Sequence, residues 1–220
     1  MSSLDLKIIA CVTMLLDHIG FLLFPEYTFL RLIGRISFPL FAFLIAEGFI
    51  KTKNIKNYLK RLFIFGLISQ IPYLIFEKLA GVENFNFNIM FSLALGVVAL
   101  LLLTSKKNIY IKILGSIGIL TLTYFGEISY GVYGILSIVG SYIFIKNKKA
   151  GMVSLSILPF METIRLFFMK IYFLQFFAVF SLIPIYFYNG KQGKKISRWW
   201  FYWFYPVHML VLSGIFLIIK

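Results

Sequence analysis

An aspartate and a histidine stand side by side, Asp17 and His18, in the middle of the apolar run Lys7–Phe24. The run is long enough to cross a bilayer as a helix, and an aspartate at that depth costs ~2.5–3.5 kcal/mol to insert. A helix that only anchored the chain would carry leucine or isoleucine there. Because histidine titrates near neutral pH, His18 is the leading candidate for a general base. The alternative role for His18 is a hydrogen bond between helices that holds a bundle together.

The spacing of Lys7 and His18 places both residues on one helix face. Eleven residues make nearly three helical turns, so the two positions lie ~16 Å apart along the axis. Asp17 is one position back, roughly 100° round the helix, so we expect it either to meet a neighbouring helix or to orient the His18 ring through a bent contact or a water molecule. For Lys7 alone, snorkelling to the lipid headgroups is the simplest interpretation.

The second apolar run supplies a partner for Asp17. Arg31 and Arg35 are four residues apart and share a helix face. We expect Arg35 to pair with Asp17, in an ion pair that is either structural or functional. Gly34 permits close approach of two helices, and Pro39 kinks the helix because it frees a backbone carbonyl.

Three more polar residues are candidates for a site. Glu47 has Lys51 four residues on, in position for a pair along one helix. Asn88 begins the fourth apolar run, where it either anchors the chain at the membrane interface or lines a vestibule. His208 is the second of the chain's two histidines and also lies in an apolar run. It is either a second proton relay or an interhelical hydrogen bond.

A basic turn with two glycines follows the eighth apolar run. It carries Lys191, Lys194 and Lys195, and such a turn can offer ammonium and backbone N–H groups to phosphates. A loop that only fixes membrane topology accounts for these lysines equally well.

Composition identifies an integral membrane protein. The 220 residues are 60% hydrophobic and 14% charged, whereas soluble domains are roughly 25% charged. We predict an all-α fold, a polytopic transmembrane helix bundle in a single domain over residues 1–220. About nine spans are expected, near residues 6–24, 30–50, 59–77, 87–104, 109–125, 128–145, 150–168, 171–188 and 199–219.

Lysine and arginine are concentrated in the connections after the second, fourth, sixth and eighth spans. Positive loops stay in the cytoplasm, which predicts a cytoplasmic N-terminus, an outer C-terminus and a multi-pass protein of the bacterial cytoplasmic membrane. The net charge of +14 then reflects topology and attraction to anionic lipid or phosphate, so we expect the lipid bilayer and no nucleic acid as a partner.

Several other features are not expected. The first span shows no signal-peptide cleavage site, and the single Cys11 excludes an internal disulfide. The chain has no zinc, haem or nucleotide-hydrolysis motif, so we predict no metal.

Blocks along nearly the whole chain resemble the TraX family in order. They include LKIIACVTMLLDHIG, LRLIGRISFPLFAFLIAEGF, YLKRLFIFGLISQIP, YGVYGILSI, YNGKQG and FYWFYPVHMLVL. Ser129 stands where the family pattern has an acidic residue, and Glu127 is the candidate substitute.

The resemblance implies a membrane acetyltransferase that uses acetyl-CoA and is associated with acetylation of conjugative pilin. Related polytopic acyltransferases carry an arginine, ten residues and then a histidine in the first span. Lys7 and His18 match that spacing, which implies that His18 is catalytic. Our own hypothesis adds that Asp17 orients or charges His18 and that Arg35 steers the acceptor or stabilises the oxyanion.

The resemblance also implies that Lys7 lies with the phosphates of the CoA thioester. Because CoA is too polar to cross the bilayer, we expect its nucleotide to stay with the cytoplasmic lysines Lys191, Lys194 and Lys195. The acceptor, a pilin-like peptide N-terminus or a cell-surface glycan, would enter from the outside. A proton-coupled transporter or flippase and a non-catalytic assembly factor are the alternatives, and the oligomeric state is left open.

Overall fold

Helices make up nearly all of the chain that the computed structural model describes, which is residues 1–168 and 173–219. They are, in chain order, α1 (Ser3–Leu22), α2 (Thr28–Gly34), α3 (Ser37–Lys51), α4 (Ile55–Leu79), α5 (Ile89–Thr104), α6 (Ile109–Phe125), α7 (Gly131–Lys146), α8 (Lys148–Phe168), a 3₁₀ helix (Phe173–Ser181), α9 (Leu182–Tyr186) and α10 (Arg198–Ile219). An isolated parallel bridge joins Phe87 to Ile128. The predicted all-α architecture is confirmed, and each predicted span coincides with helical structure.

The span predicted at 171–188 differs from the others. Residues 171 and 172 lie outside the described residues, and the following stretch is a 3₁₀ helix that leads into the short α9. The 3₁₀ stretch, FLQFFAVFS, is dominated by phenylalanine and also holds a valine.

Within the described part of the chain, four helical stretches are long and apolar enough to cross a membrane. They are Thr28–Lys51 (α2 with α3), Ile55–Leu79, Lys148–Phe167 and Arg198–Ile219. Helix α1 is also 20 residues long but carries Asp5, Lys7 and Asp17. The count of nine spans and their orientation remain predictions.

Local chemistry explains where the first helices begin and break. The Ser2 hydroxyl accepts the Asp5 backbone N–H while the Asp5 carboxylate accepts the Ser2 N–H, which starts α1 with a capping box. The helical stretch 28–51 is interrupted between α2 and α3, at Arg35 and Ile36. Pro39 has no N–H for the carbonyl of Arg35, four residues earlier, so the predicted effect of this proline is confirmed.

Helix α1 packs against α2, α3 and α10. One apolar cluster joins α1 and α3 to α4, α5, α7 and α10, and a second joins them to α7, α8 and α9. Fully buried side chains such as Phe38, Phe43 and Leu6 fill these clusters.

The N-terminus of α1 is tied to the turn that precedes α10. The Ser3 N–H donates to the carbonyl of Lys191 (2.8 Å), and the Asn189 N–H donates to the carbonyl of Met1 (2.9 Å). Lys51 Nζ, at the end of α3, donates to the carbonyl of Gly190 (2.9 Å). We call this region, with the N-terminus, the α3–α4 connection and the 187–197 turn, the basic end.

Glu47 is the buried centre of the basic end. Its carboxylate accepts hydrogen bonds from the Ser3 hydroxyl (2.9 Å), Lys51 Nζ (2.6 Å) and the Tyr188 hydroxyl. The predicted pair with Lys51 is confirmed, whereas Ser3 and Tyr188 are distant in sequence and were not predicted. Glu47 thereby joins α1, α3 and the 187–197 turn.

Replacement of Glu47 by alanine should destabilise the bundle, because it leaves the Ser3 and Tyr188 hydroxyls and the Lys51 ammonium group without their shared acceptor. The expected loss is about 1–3 kcal/mol in the free energy of unfolding, measured as a lower Tm of the purified protein in detergent. Lys53→Ala, at an exposed position of the same connection, is the matched control. Equal Tm values for the two variants would contradict the role of Glu47.

Candidate functional site

Asp17 sits between two arginines. Arg31 Nε lies 3.0 Å from Asp17 Oδ1, and Arg35 Nη2 pairs with Asp17 Oδ2. Asp17 is only 8% exposed, and the Arg31 guanidinium also packs over the ring of Phe21, 4.3 Å from its centroid. The predicted pair with Arg35 is confirmed, and Arg31 joins it. Two guanidinium groups and one carboxylate leave this cluster with one excess positive charge.

Gly34 makes this ion cluster sterically feasible. A Cβ atom on Gly34 would overlap the side chain of Asp17, so glycine lets α2 lie directly on α1. The close approach predicted for Gly34 is thereby confirmed. It brings Arg31 and Arg35, which flank Gly34 in the sequence, to the same carboxylate.

His18 meets the second histidine across the contact between α1 and α10. His18 Nδ1 lies 2.6 Å from His208 Nε2, and His208 Nδ1 lies 2.6 Å from the carbonyl oxygen of Phe204. The two rings are 5° from parallel with centroids 4.9 Å apart, so they meet edge to edge, nearly in one plane. Phe76 of α4 packs against His18 on another side, with centroids 5.0 Å apart.

The hydrogen bond to His18 therefore comes from His208, and the carboxylate of Asp17 is bound by the arginines. Of the two roles expected for Asp17, this arrangement shows the contact with a neighbouring helix and does not place Asp17 as the group that orients His18. The reason is the roughly 100° between neighbouring residues of a helix, which turns Asp17 toward α2 and His18 toward α10.

Lys7 also faces α10. Its Nζ lies over the ring of Phe201, 5.2 Å from the centroid. Lys7 and His18 thus contact the same neighbouring helix, as their spacing predicts, and α10 follows α1 from Lys7 to His18.

A large cavity adjoins the Asp17 cluster and His18. Its volume is about 1170 Å³, slightly above the roughly 300–1,000 Å³ of typical small-molecule pockets. It is bounded by α1–α8, the 3₁₀ helix and α10 and reaches the loops at 84–86 and 127–131. Its polar and aromatic lining includes Asp17, His18, Arg31, Arg35, Tyr73, Glu77, Asn84, Asn86, Tyr124, Glu127, Tyr130, Tyr133, Glu162, Arg165, Gln175 and Tyr205.

Hydrogen bonds fix the cavity's loops. The Phe87 N–H donates to the carbonyl of Glu127 (3.0 Å), the Ser129 N–H donates to the carbonyl of Phe87 (2.9 Å), and the Ser92 hydroxyl donates to the carbonyl of Ser129. These contacts hold the loops at 84–88 and 127–131 together at the mouth of the cavity.

Tyr130, the residue after Ser129, has a left-handed backbone conformation with φ at 62°, which is strained for a bulky side chain. Its ring stacks on Phe38 with centroids 3.9 Å apart. Tyr130 and Tyr133 are thus cavity-lining residues, whereas their position in the sequence is typical of interfacial anchors.

Asn88 has a structural role. It is fully buried, its Oδ1 accepts the Met90 N–H at the start of α5, and its Nδ2 donates to the Gly66 carbonyl (2.7 Å) and to Gln70 Oε1 (2.8 Å). Asn88 does not line the cavity, so the vestibule role predicted for it is wrong. The asparagines that line the cavity are Asn84 and Asn86. A buried amide must satisfy its hydrogen bonds within the protein, which explains why Asn88 points away from the mouth.

The basic residues predicted to meet phosphate lie elsewhere. Lys191, Lys194 and Lys195 are exposed on the turn attached to the start of α1, and neither they nor Lys7 line the cavity. Two separate regions therefore result, the basic end and the cavity, and α1 runs between them.

Three polar residues of the cavity were not predicted as site residues, namely Glu162, Arg165 and Gln175. Glu162 and Arg165 pair at 2.6 Å on α8, and Gln175 is buried in the 3₁₀ helix. Polar residues within apolar runs mark functional or buried positions, and that rule would have selected them. Within residues 1–168 and 173–219, no group of His, Cys, Asp or Glu is arranged to hold a metal ion.

Replacement of Gly34 by alanine should separate α2 from α1 at the ion cluster, because the new methyl group overlaps Asp17. Overpacking of this kind costs about 1–3 kcal/mol, which a lower Tm in detergent would report. Gly118→Ala is the control, since a Cβ there meets nothing within 4 Å, and its Tm should be unchanged or higher. A Gly34→Ala protein as stable as Gly118→Ala would refute the close contact.

Comparison with known proteins identifies relatives over the whole chain. The chain is 29% identical over 234 aligned positions to a protein named probable fimbrial assembly protein FimC, serogroup H1, of Dichelobacter nodosus, which covers 97% of this chain and 95% of that protein. It is 29% identical over 141 positions to Protein TraX of Escherichia coli, over 62% of this chain and 54% of that protein. It is 39% identical over 92 positions to the protein RP591 of Rickettsia prowazekii (strain Madrid E), over 41% of this chain and 33% of that protein.

No solved structure matches the chain. The family described as TraX protein matches residues 2–216, which span α1 to α10 and include the ion cluster, both histidines and the basic turn. The apolar helices are those of a membrane protein, and the chain belongs to the TraX family.

Proposed function

We propose that this protein is a membrane-embedded acetyltransferase of the bacterial cytoplasmic membrane. It would move an acetyl group from cytoplasmic acetyl-CoA to an amine or hydroxyl of an acceptor on the outer side, a peptide N-terminus or a cell-surface glycan. The observation that carries the proposal is the position of His18, which lines a large cavity beside the Asp17 cluster and is hydrogen-bonded to a second buried histidine.

The basic end supports CoA as the donor. Its exposed lysines, Lys191, Lys194 and Lys195, are compact cations that suit the phosphates of CoA, and the hydrogen bonds to the start of α1 hold their turn in place. Lys7 lies farther along α1 on the face that also carries His18. The donor's thioester would supply the acetyl group.

The cavity supports an acceptor that enters from the other end of the bundle. The loops at 84–86 and 127–131 form its mouth, and the predicted topology puts them outside. Aromatic rings, amides and carboxylates line the cavity, which suits a polar ligand with apolar parts.

His18 would accept the proton of the attacking amine or hydroxyl. The excess positive charge of the Asp17 cluster would stabilise the negative charge that develops on the acetyl carbonyl oxygen. Asp17 would hold the guanidinium groups of Arg31 and Arg35 in position for this role, since removal of one member of a buried ion cluster leaves the others uncompensated.

A non-catalytic assembly factor is the second candidate. The name of the Dichelobacter nodosus relative, a probable fimbrial assembly protein, favours it. This function needs no CoA site, so the absence of CoA binding by the purified protein would support it over acetyl transfer. A proton-coupled transporter or flippase also predicts no acetyl transfer.

Replacement of His18 by glutamine should abolish most activity, because the variant has no base for the acceptor's proton. We expect a fall of about 10²–10⁴-fold in kcat, measured with labelled acetyl-CoA and acceptor peptides or glycans in nanodiscs. Arg35→Gln should lower kcat by about 10²–10³-fold.

Ser156→Ala on α8 is the control, because Ser156 hydrogen-bonds only within its own helix and does not line the cavity. It should act within about twofold of wild type, and the Tm of each variant would be checked. Full activity in His18→Gln would rule out His18 as the base.

Replacement of Lys191, Lys194 and Lys195 by alanine should weaken CoA binding with little effect on kcat. Loss of about 1 kcal/mol per phosphate contact would raise the KM for acetyl-CoA by at least about tenfold. Acetylpantetheine, which lacks the nucleotide and its phosphates, should show the same KM with both proteins. Lys106→Ala with Lys107→Ala is the matched control at another basic connection, and an equal rise there would contradict a specific site.

A further inference from the structure

The backbone of α10 determines where the protons of both histidines lie. The carbonyl oxygen of Phe204 only accepts hydrogen bonds, so the proton in its 2.6 Å contact with His208 belongs to His208 Nδ1. A neutral imidazole carries one ring proton. His208 Nε2 therefore presents a lone pair.

The proton between the two rings is placed in the same way, and it belongs to His18. His18 Nδ1 lies 2.6 Å from His208 Nε2, and the edge-to-edge, coplanar arrangement of the rings aligns an in-plane proton with that lone pair. His18 Nδ1 must supply the proton. His18 Nε2 is then unprotonated and is the nitrogen able to act as a base.

The charged surroundings favour a neutral resting pair. The arginines Arg31 and Arg35 outnumber Asp17 beside His18. Aromatic residues also pack against the pair, Phe76 of α4 against His18 and Tyr205 of α10 against His208. A cation on His18 would be repelled by the excess guanidinium charge, whereas His208 is one ring farther away and is backed by the Phe204 carbonyl.

We infer that His208 is the positioning residue of the proposed base: it fixes His18 as the Nδ1–H tautomer and receives the positive charge when His18 takes up a proton. The charge-receiving role of His208 rests on the proposed function, because acetyl transfer is the step that delivers the acceptor's proton to His18. The assignment of the two tautomers rests on geometry alone.

The proton steps balance over one cycle. As the acceptor's nitrogen or oxygen forms a bond to the acetyl carbon, its proton passes to His18 Nε2 and the Nδ1 proton of His18 passes to His208 Nε2. When the carbon–sulfur bond breaks, both transfers reverse and His18 Nε2 delivers the proton to the thiolate of CoA. The products are the acetylated acceptor and free CoA, with both histidines neutral again.

The first test is nitrogen NMR of protein labelled with ¹⁵N-histidine in nanodiscs. The chain has two histidines, so the spectrum contains four ring nitrogens, and protonated and bare nitrogens resonate far apart. We expect both rings as the Nδ1–H tautomer, which is the minor form of free histidine. An Nε2–H tautomer on either ring would overturn the inference.

The second test uses His208→Gln, which leaves His18 as the only labelled histidine. The amide oxygen of glutamine can still accept the His18 Nδ1 proton but cannot take on a proton at neutral pH. We expect the His18 tautomer to be kept, kcat to fall at least about tenfold and the KM for acetyl-CoA to stay within about twofold.

His208→Leu provides a contrast, because it should lose both the tautomer and the activity. Ser213→Ala is the matched control on α10, since its hydroxyl is buried without a hydrogen-bond partner, and it should behave as wild type. Wild-type kcat in His208→Gln would overturn the charge-receiving role. Expected tautomers without any acetyl transfer by the wild type would overturn the proposed function and leave the tautomer assignment supported.

Discussion

The pairing of Asp17 with Arg31 and Arg35 is the interaction on which the rest of the site depends. An unpaired charge in an apolar bundle costs several kcal/mol, so the carboxylate must find its partners within the protein. The ion pairs hold α2 against α1. Glycine at position 34 permits this contact, because a side chain there would overlap Asp17. The roughly 100° between consecutive residues of a helix then places His18, which follows Asp17, on a different side of α1, where it meets α10.

The same physical rule organises the basic end. Glu47 is buried, and its three donors come from α1, α3 and the turn before α10. These bonds seat the lysine-rich turn on the first residues of α1. Helix α1 thereby connects two charge clusters, one with exposed cations and one beside a cavity, and Lys7 and His18 both contact α10 along its length. This arrangement is what makes a donor at one end and an acceptor at the other a coherent proposal.

Residue patterns predicted the helices well because their cause is local. Long apolar runs and the helical period specify where a helix forms and which residues share its face, and the Glu47–Lys51 pair follows from such spacing. The prediction for Asn88 was less successful. It left two roles open, an interfacial anchor and a vestibule residue, yet Asn88 caps α5 from a fully buried position and does not line the cavity. Whether a polar residue faces water, a partner or a cavity depends on helices that are far away in the chain.

The sequence alone determined the all-α, membrane-type architecture and the candidate residues on α1, because hydropathy and a 3.6-residue period are properties of neighbouring positions. The family followed from the resemblance of ordered sequence blocks. Only the tertiary structure decided what those residues contact. His18 and His208 are 190 positions apart, and no periodicity relates them. Their hydrogen bond exists because α1 and α10 pack together, and its protons are placed by a backbone carbonyl. A backbone carbonyl is present at every position, so only the fold distinguishes the one beside His208.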